Sequence, residues 1–330
     1  MVDGVSYPTY FAPATNAHTI IGFCTGFKES PVSFQGKIAE LNRMGFSVFG
    51  LPLPVPRPGE DFLPAYEKLV EAFFFDEKSP LYRLHPELPH LALTHSTGGL
   101  VFENHMLDED KAEAAATLLR GAIQVAPFFD TANSSLHYHK YASMFYAHYA
   151  RFYASHQLGS TYIDRIFTKL KDIPMKVEDK FLMAGAPLHG EAIILRNYGR
   201  RLQKALDDAA AQDRPFALRQ AFILGNKDGA ACPKTGERMA RDLGAETYKI
   251  DCGHDPIHEC EEGLKRVTEI AFRFAAGDNE RSDGDKLRNR RHAEFLAATS
   301  PAQARLPPAN DPATLPGGNW LLPGAAPQAA

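Results

Sequence analysis

An α/β fold built on a mostly parallel sheet is what this sequence predicts, and three observations predict it. Short apolar, β-rich runs alternate with helical patterns along most of the chain. Several of these runs are continuously apolar, as central strands covered on both faces must be. Only two regions break the alternation. In chain order, the strand candidates are residues 6–12, 19–25, 47–51, 91–94, 121–126, 219–224 and 247–251. Helical spacing marks residues 32–44, 64–75, 98–107 and 191–211, and residues 263–276 close the globular part.

The first break runs from about residue 128 to 186. It holds the stretch HYHKYASMFYAHYARFYASH, in which Tyr141, Phe145, His148 or Tyr149, and Phe152 recur at helical spacing. Ile163, Ile166, Phe167 and Leu170 form a second such pattern. Lying between two strand candidates, this region reads as a helical insertion. Its aromatic stripe either packs the insertion onto the body or lines an apolar ligand pocket, for which Phe128, Phe129, Tyr141, Phe145, Tyr149 and Phe152 are the candidates. The second break is the tail, residues 277–330: first charged, then rich in Pro, Ala and Gly. It has little to bury against its ordering entropy and is expected to be largely flexible. The expected organisation is therefore a core of residues 1–127 and 187–276, a cap of 128–186, and the tail.

Composition narrows the function classes. With 330 residues, 44% of them hydrophobic, the chain can bury a large core. A net charge of −4, with no long basic run before the tail, argues against a nucleic-acid partner. The four cysteines, Cys24, Cys232, Cys252 and Cys260, fit neither a dense disulfide framework nor a CxxC zinc pattern. The N-terminal residues MVDGVSYPTYFAPA lack a basic segment followed by an apolar one. No apolar run approaches the ~20 residues that span a bilayer. A cytoplasmic protein with reduced thiols and no transmembrane segment is the expectation. Neither GxGxxG nor GxxxxGK[ST] occurs, and no metal or organic cofactor is expected.

The chemistry is signalled by Thr94-His95-Ser96-Thr97-Gly98-Gly99, which interrupts an apolar run just before a helical pattern. A serine hydroxyl is a weak nucleophile, so it needs an exposed Oγ and a neighbouring base. A sharp strand-to-helix turn presents that Oγ, and small residues two before and two after relieve the crowding. Thr94 and Gly98 hold those positions, with Thr94 in place of the usual glycine. Alone, the pattern fits a helix-capping serine equally well. Two later strand ends add to it: AFILGNKDG turns at Asp228, and YKIDCGHD ends at His254. Serine, acid and base thus follow in the order of a Ser-Asp-His triad, the last two each just beyond a strand. Asp255 adjoins the histidine and would point elsewhere, which favours Asp228 as the acid. Upstream, a strand breaks at Gly26, where a loop can aim a backbone N–H at the serine.

With these motifs the chain resembles the α/β-hydrolases, nearest the serine aminopeptidase-like branch that includes monoacylglycerol lipases and lysophospholipases. The resemblance spans roughly residues 18–275. HSTGG around Ser96, GxxD at Asp228 and GHD at His254 match the family pattern. Thr25-Gly26-Phe27-Lys28-Glu29 stands where the family has His-Gly-Phe and a polar pair, so Thr25 replaces a histidine. The prolyl loop at 52–58 departs from the family's glycine- and Asp-containing loop. What the resemblance implies is a mostly parallel sheet flanked by helices, with a cap where the aromatic insertion lies. It also implies Ser96 as nucleophile, His254 as base, Asp228 as its orienting acid, and the N–H groups of Phe27 and Thr97 as oxyanion donors. The expected activity is cleavage of small carboxylic esters, with an apolar acyl group under the cap, through an acyl-enzyme. Three alternatives use the same fold: an amidase or aminopeptidase, a C–C hydrolase or haloperoxidase, and a non-catalytic ligand-binding member. His254 and His258, four apart, also suggest a metal pair, but Pro256 interrupts the helix that would align them and no third ligand is evident.

Overall fold

The computed structural model describes residues 9–27, 29–53, 62–130, 189–211 and 218–277. Within them lie seven strands: β1 (Tyr10–Ala12), β2 (Thr19–Cys24), β3 (Phe46–Leu51), β4 (His90–His95), β5 (Gly121–Val125), β6 (Gln220–Gly225) and β7 (Glu246–Ile250). They form one sheet in the order β1-β3-β2-β4-β5-β6-β7, parallel except for β1, which runs antiparallel to β3. Every residue of β2 through β6 is buried, which is why those strands read as mainly apolar runs without alternation. At the edge, β7 exposes Thr247 and Lys249 and half-buries Glu246 and Tyr248, the alternation of a strand wet on one side.

The helices are α1 (Gln35–Arg43), α2 (Leu63–Phe74), α3 (Pro80–Arg83), α4 (Thr97–Met106), α5 (Glu109–Leu118), α6 (His189–Ala211), α7 (Pro233–Asp242), α8 (Pro256–Glu259) and α9 (Glu261–Ala276). A 3-10 turn, Pro31–Phe34, precedes α1, so the helical pattern expected over 32–44 divides in two. Ser30 caps that turn through the N–H of Val32, and Pro31 supplies a fixed φ at its start. In α2, Tyr66, Leu69, Val70, Phe73 and Phe74 fall on one buried face. In α9, Leu264, Val267, Ile270, Ala271 and Phe274 do the same. Each of the larger aliphatic and phenylalanine side chains stabilises the fold by about 1.5–3 kcal/mol when fully buried. The pattern passed over α5 and α7. Helix α5 buries mainly alanines, and α7 buries only Gly236, Met239 and Ala240, so neither carries a strong apolar stripe.

The helices divide between two apolar layers. Helices α2 to α7 cover one face of the sheet, with Phe74, Phe102, Leu206, Phe222 and Met239 in that layer. Helices α1, α8 and α9 cover the other, against Ile21, Phe23, Ile123, Val125 and Ile223. No helix among the described residues is long and apolar enough to cross a membrane. The pocket candidates Tyr141, Phe145, Tyr149 and Phe152, most of the expected cap, the prolyl loop from residue 54 to 58 and the tail from 278 onward lie outside the described residues.

A polar chain runs through the first layer. Gln124 in β5 takes a hydrogen bond from Thr94 in β4 and donates one of 2.6 Å to Glu103 Oε1 in α4. Gln220 in β6 donates to Glu103 Oε2 at 3.3 Å. These contacts pin α4, and hence the turn before it, to three neighbouring strands. Glu103 is wholly buried, and burial pushes its carboxyl up to about 8 against the opposing pull of the two glutamine donors. A carboxyl raised in the folded state adds stability at low pH, and that stability is lost as pH climbs from its ordinary 4.5 through about 8. Glu103→Gln removes this titration. Thermal melts of both proteins should therefore show the variant gaining on wild type between pH 5 and pH 9; an offset constant across that range would contradict the assignment.

Candidate active site

Strand order places the site. From β2 the chain turns to one side to form β3, and from β4 it turns to the other to form β5. The loops after β2 and β4 therefore diverge and leave a crevice at the C-terminal edge of the sheet, where open α/β sheets bind their ligands. Thr25 to Glu29 follow β2, and Ser96 follows β4.

Ser96 adopts φ 50° and ψ −116°, a backbone conformation unusual for a residue with a side chain. Its N–H donates to Val125 O at 3.0 Å. Its carbonyl accepts from Gly99 N at 3.1 Å, Leu100 N at 3.3 Å and Phe128 N at 3.0 Å. Helix α4 begins one residue later, so Thr97 presents one of the first-turn N–H groups that have no partner within the helix. The close turn is possible because Gly98 lacks a side chain: a Cβ there would lie 2.7 Å from both Cys24 O and Thr25 O. Gly26 touches the same spot from the other loop, its Cβ position being 3.0 Å from Ser96 Cβ.

Ser96 Oγ lies 2.9 Å from His254 Nε2, and His254 Nδ1 lies 2.8 Å from Asp228 Oδ2. The three residues singled out by the sequence are thus brought into one hydrogen-bonded line. The second oxygen of Asp228, Oδ1, accepts from the N–H groups of Ala230 and Ala231, both at 2.8 Å, so the carboxylate is held at both ends. Asp228 and His254 stand on the loops after β6 and β7, and those loops touch directly: a Cβ on Gly225 would collide with the carbonyl of Gly253. The N–H of Lys227 also donates to Cys252 O at 2.8 Å.

Glu259, which the sequence motifs did not flag, holds the loop that carries His254. Its Oε2 accepts the N–H of Gly253 and its Oε1 accepts that of Asp255 at 3.0 Å, one on each side of His254. Asp255 turns away from the relay and caps α8, accepting from His258 N at 3.3 Å and from the His258 ring. His258 Nε2 reaches Ser33 O at 3.2 Å, so His254 and His258 serve different partners and do not converge as metal ligands. Two further side chains beside the relay, Glu29 and His95, lie 2.7 Å apart.

Other expected residues are placed as follows. Phe27 follows Gly26 and packs against Phe62 and Tyr66, with centroids 5.3 and 6.4 Å away. Phe128 is half-buried next to the turn through its bond to Ser96. Phe129 is 1% exposed and stacks on Phe222 at 5.9 Å, where the chain after β5 enters the core between β6 and α6. Cys24 is a buried core residue. Cys252 has Cys260 as a thiol neighbour.

No family model matches the chain, and no curated protein matches it. Solved structures do. A soluble variant of monoglyceride lipase from Saccharomyces cerevisiae, in complex with a substrate analogue, is 16% identical; the match covers 82% of this chain and 92% of that one, with a TM-score of 0.54. A thermophilic esterase from Thermogutta terrifontis is 17% identical over 81% of this chain and 94% of its own, with a TM-score of 0.55. A highly thermostable carboxyl esterase from Bacillus coagulans is 11% identical over 80% and 92%, with a TM-score of 0.50. At such identities the likeness speaks to architecture, and the chain has the α/β-hydrolase fold.

The contact at Gly98 yields a test of the turn. Gly98→Ala should destabilise the protein by about 1–3 kcal/mol, since two backbone carbonyls must move. Gly36→Ala is the control: nothing lies within 4 Å of its Cβ position in α1, and the substitution should raise stability by about 0.5–1 kcal/mol. Denaturant unfolding of both variants checks the contrast.

Proposed function

We propose that this protein is a serine hydrolase that cleaves carboxylic esters through an acyl-enzyme. One observation carries the reading: Ser96 Oγ, the His254 ring and the Asp228 carboxylate form a continuous line with contacts of 2.9 and 2.8 Å. Esterases and a monoglyceride lipase among the structural neighbours support the choice of ester substrates.

The chemistry follows from the geometry. His254 Nδ1–H donates to Asp228, which leaves Nε2 as the acceptor facing Ser96. As Ser96 Oγ attacks the ester carbon, its proton passes to Nε2 and the carbonyl oxygen becomes an oxyanion. The N–H groups of Thr97 and Phe27 receive that charge; losing one such donor costs about 100–1000-fold in rate. The tetrahedral species collapses, the C–O bond to the alcohol breaks, and His254 returns the proton to the leaving alkoxide. Water then attacks the acyl-serine with His254 again as base, releasing the acid and restoring the hydroxyl. Asp228 keeps the tautomer and stabilises the imidazolium throughout.

On this reading the half-buried Phe27 and Phe128 are the described aromatic residues of the expected pocket and oxyanion loop nearest the nucleophile, Phe128 through its N–H bond to Ser96 O. The small-molecule substrate then carries an apolar acyl group, and the enzyme works in the cytoplasm without a cofactor.

The test combines labelling with turnover. A fluorophosphonate probe should modify Ser96, located by peptide mass spectrometry, and wild type should hydrolyse p-nitrophenyl esters in preference to aminoacyl anilides. Ser96→Ala and His254→Ala should each lose at least ~1000-fold in kcat while melting near wild type, and Asp228→Asn should lose as much or less. A folded protein whose Ser96 stays unlabelled would remove the hydrolase reading; preference for anilides would move it to amides.

A further inference from the structure

Beside the relay lie two charged side chains that take no part in it. Glu29, in the loop after β2, has a side chain 10% exposed, and His95, the last residue of β4, has one that is fully buried. Glu29 Oε2 accepts the N–H of Gly26 at 2.7 Å and meets His95 Nδ1 at 2.7 Å. His95 Nε2 meets the backbone carbonyl of His254 at 3.1 Å. Two elements far apart in sequence, the loop expected to hold the oxyanion and the loop carrying the base, are thus joined through one carboxylate and one ring.

We propose that Glu29 and His95 are positioning residues: a buried ion-paired strut that sets the spacing between the Gly26–Phe27 backbone and His254. The proposal rests on the ester-hydrolase reading of the site. Three features support it. A carboxylate and a carbonyl face the two ring nitrogens of His95, so both nitrogens carry hydrogen and both donate. Burial works against that charge, but Glu29, Asp255 and the His254 carbonyl together outweigh it and raise His95 to about 10, so its ring stays charged at neutral pH. The Glu29 end is itself anchored, since Thr25 Oγ1 donates to Glu29 O at 3.1 Å and Glu29 N donates to Gly26 O at 3.2 Å. The Phe34 ring, whose centroid is 5.9 Å from that of His95, packs beside the strut.

A strut acts through geometry, so its loss should appear in kcat and leave substrate binding alone. Removing one charge would strand the other in the core and endanger folding. The test therefore uses two variants that avoid an orphan charge. Glu29→Asp keeps the pair but shortens the reach by one methylene. The double variant Glu29→Gln with His95→Gln removes both charges together and keeps polar groups of similar length. On a p-nitrophenyl ester, each folded variant should lose about 10–100-fold in kcat with KM within about threefold of wild type. Glu29→Asp should retain more activity than the double variant. Wild-type kcat in either folded variant overturns the strut, as does a loss confined to KM. Should the double variant melt below the assay temperature, Glu29→Asp alone decides by the same criterion. A wild-type protein without esterase activity would instead count against the proposed function, which separates the two failures.

Discussion

The backbone of Ser96 is the constraint on which the site depends. A residue with a side chain held at φ 50° costs on the order of 1–3 kcal/mol, and it persists only where its surroundings over-determine it. Here the N–H of Ser96 is bonded to β5, its carbonyl takes three N–H groups, and Gly98 lets the strand β2 end press against the turn. The neighbouring Ala126 is also at positive φ, 44°, and its N–H is tied to Ile223 O at 2.8 Å. Both unusual residues directly follow the C-terminal ends of fully buried strands. The reward is an oxygen that projects from a fixed base instead of a mobile loop.

Rigidity of that kind also explains the polar investment around the turn. Buried polar groups destabilise a core unless they are paired, and in this molecule they come in linked sets. Thr94, Gln124, Glu103 and Gln220 brace α4 from beneath, while Glu259 grips the two peptide groups beside His254. Glu29 and His95 bridge between the loops on the far side. None of these side chains belongs to the Ser96–His254–Asp228 line, yet each ties a backbone or helix that carries one of its members. Errors of about 1 Å in such placements are enough to cost orders of magnitude in rate.

Much of this was readable from the chain. The strand candidates all correspond to strands: β2 to β6, parallel and buried, read as mainly apolar runs, and the edge strand β7 reads as an alternation. Ser96, Asp228 and His254 could be picked out because each sits at a strand end marked by glycine or turn residues. Glu29 and Glu259 left no such mark. Glu29 finds its ring partner 66 residues away, and Glu259 acts on backbone groups, which carry no sequence signal. The direction of Phe129 is unmarked for a related reason: an aromatic residue just past a strand looks the same in sequence whether it turns outward or into the core, and only the structure shows its stacking on Phe222.

By itself, then, the order of residues determined the layers of the fold, the identity of the three aligned side chains and the end of the sheet at which they stand, since local periodicity and turn-forming residues encode all three. Tertiary structure alone decided which charged groups support them. Pairings such as Glu29 with His95, or Glu103 with two glutamines, depend on how strands are ordered across the sheet. That order is set by burial of the whole core, a property shared among distant residues and written in none of them singly.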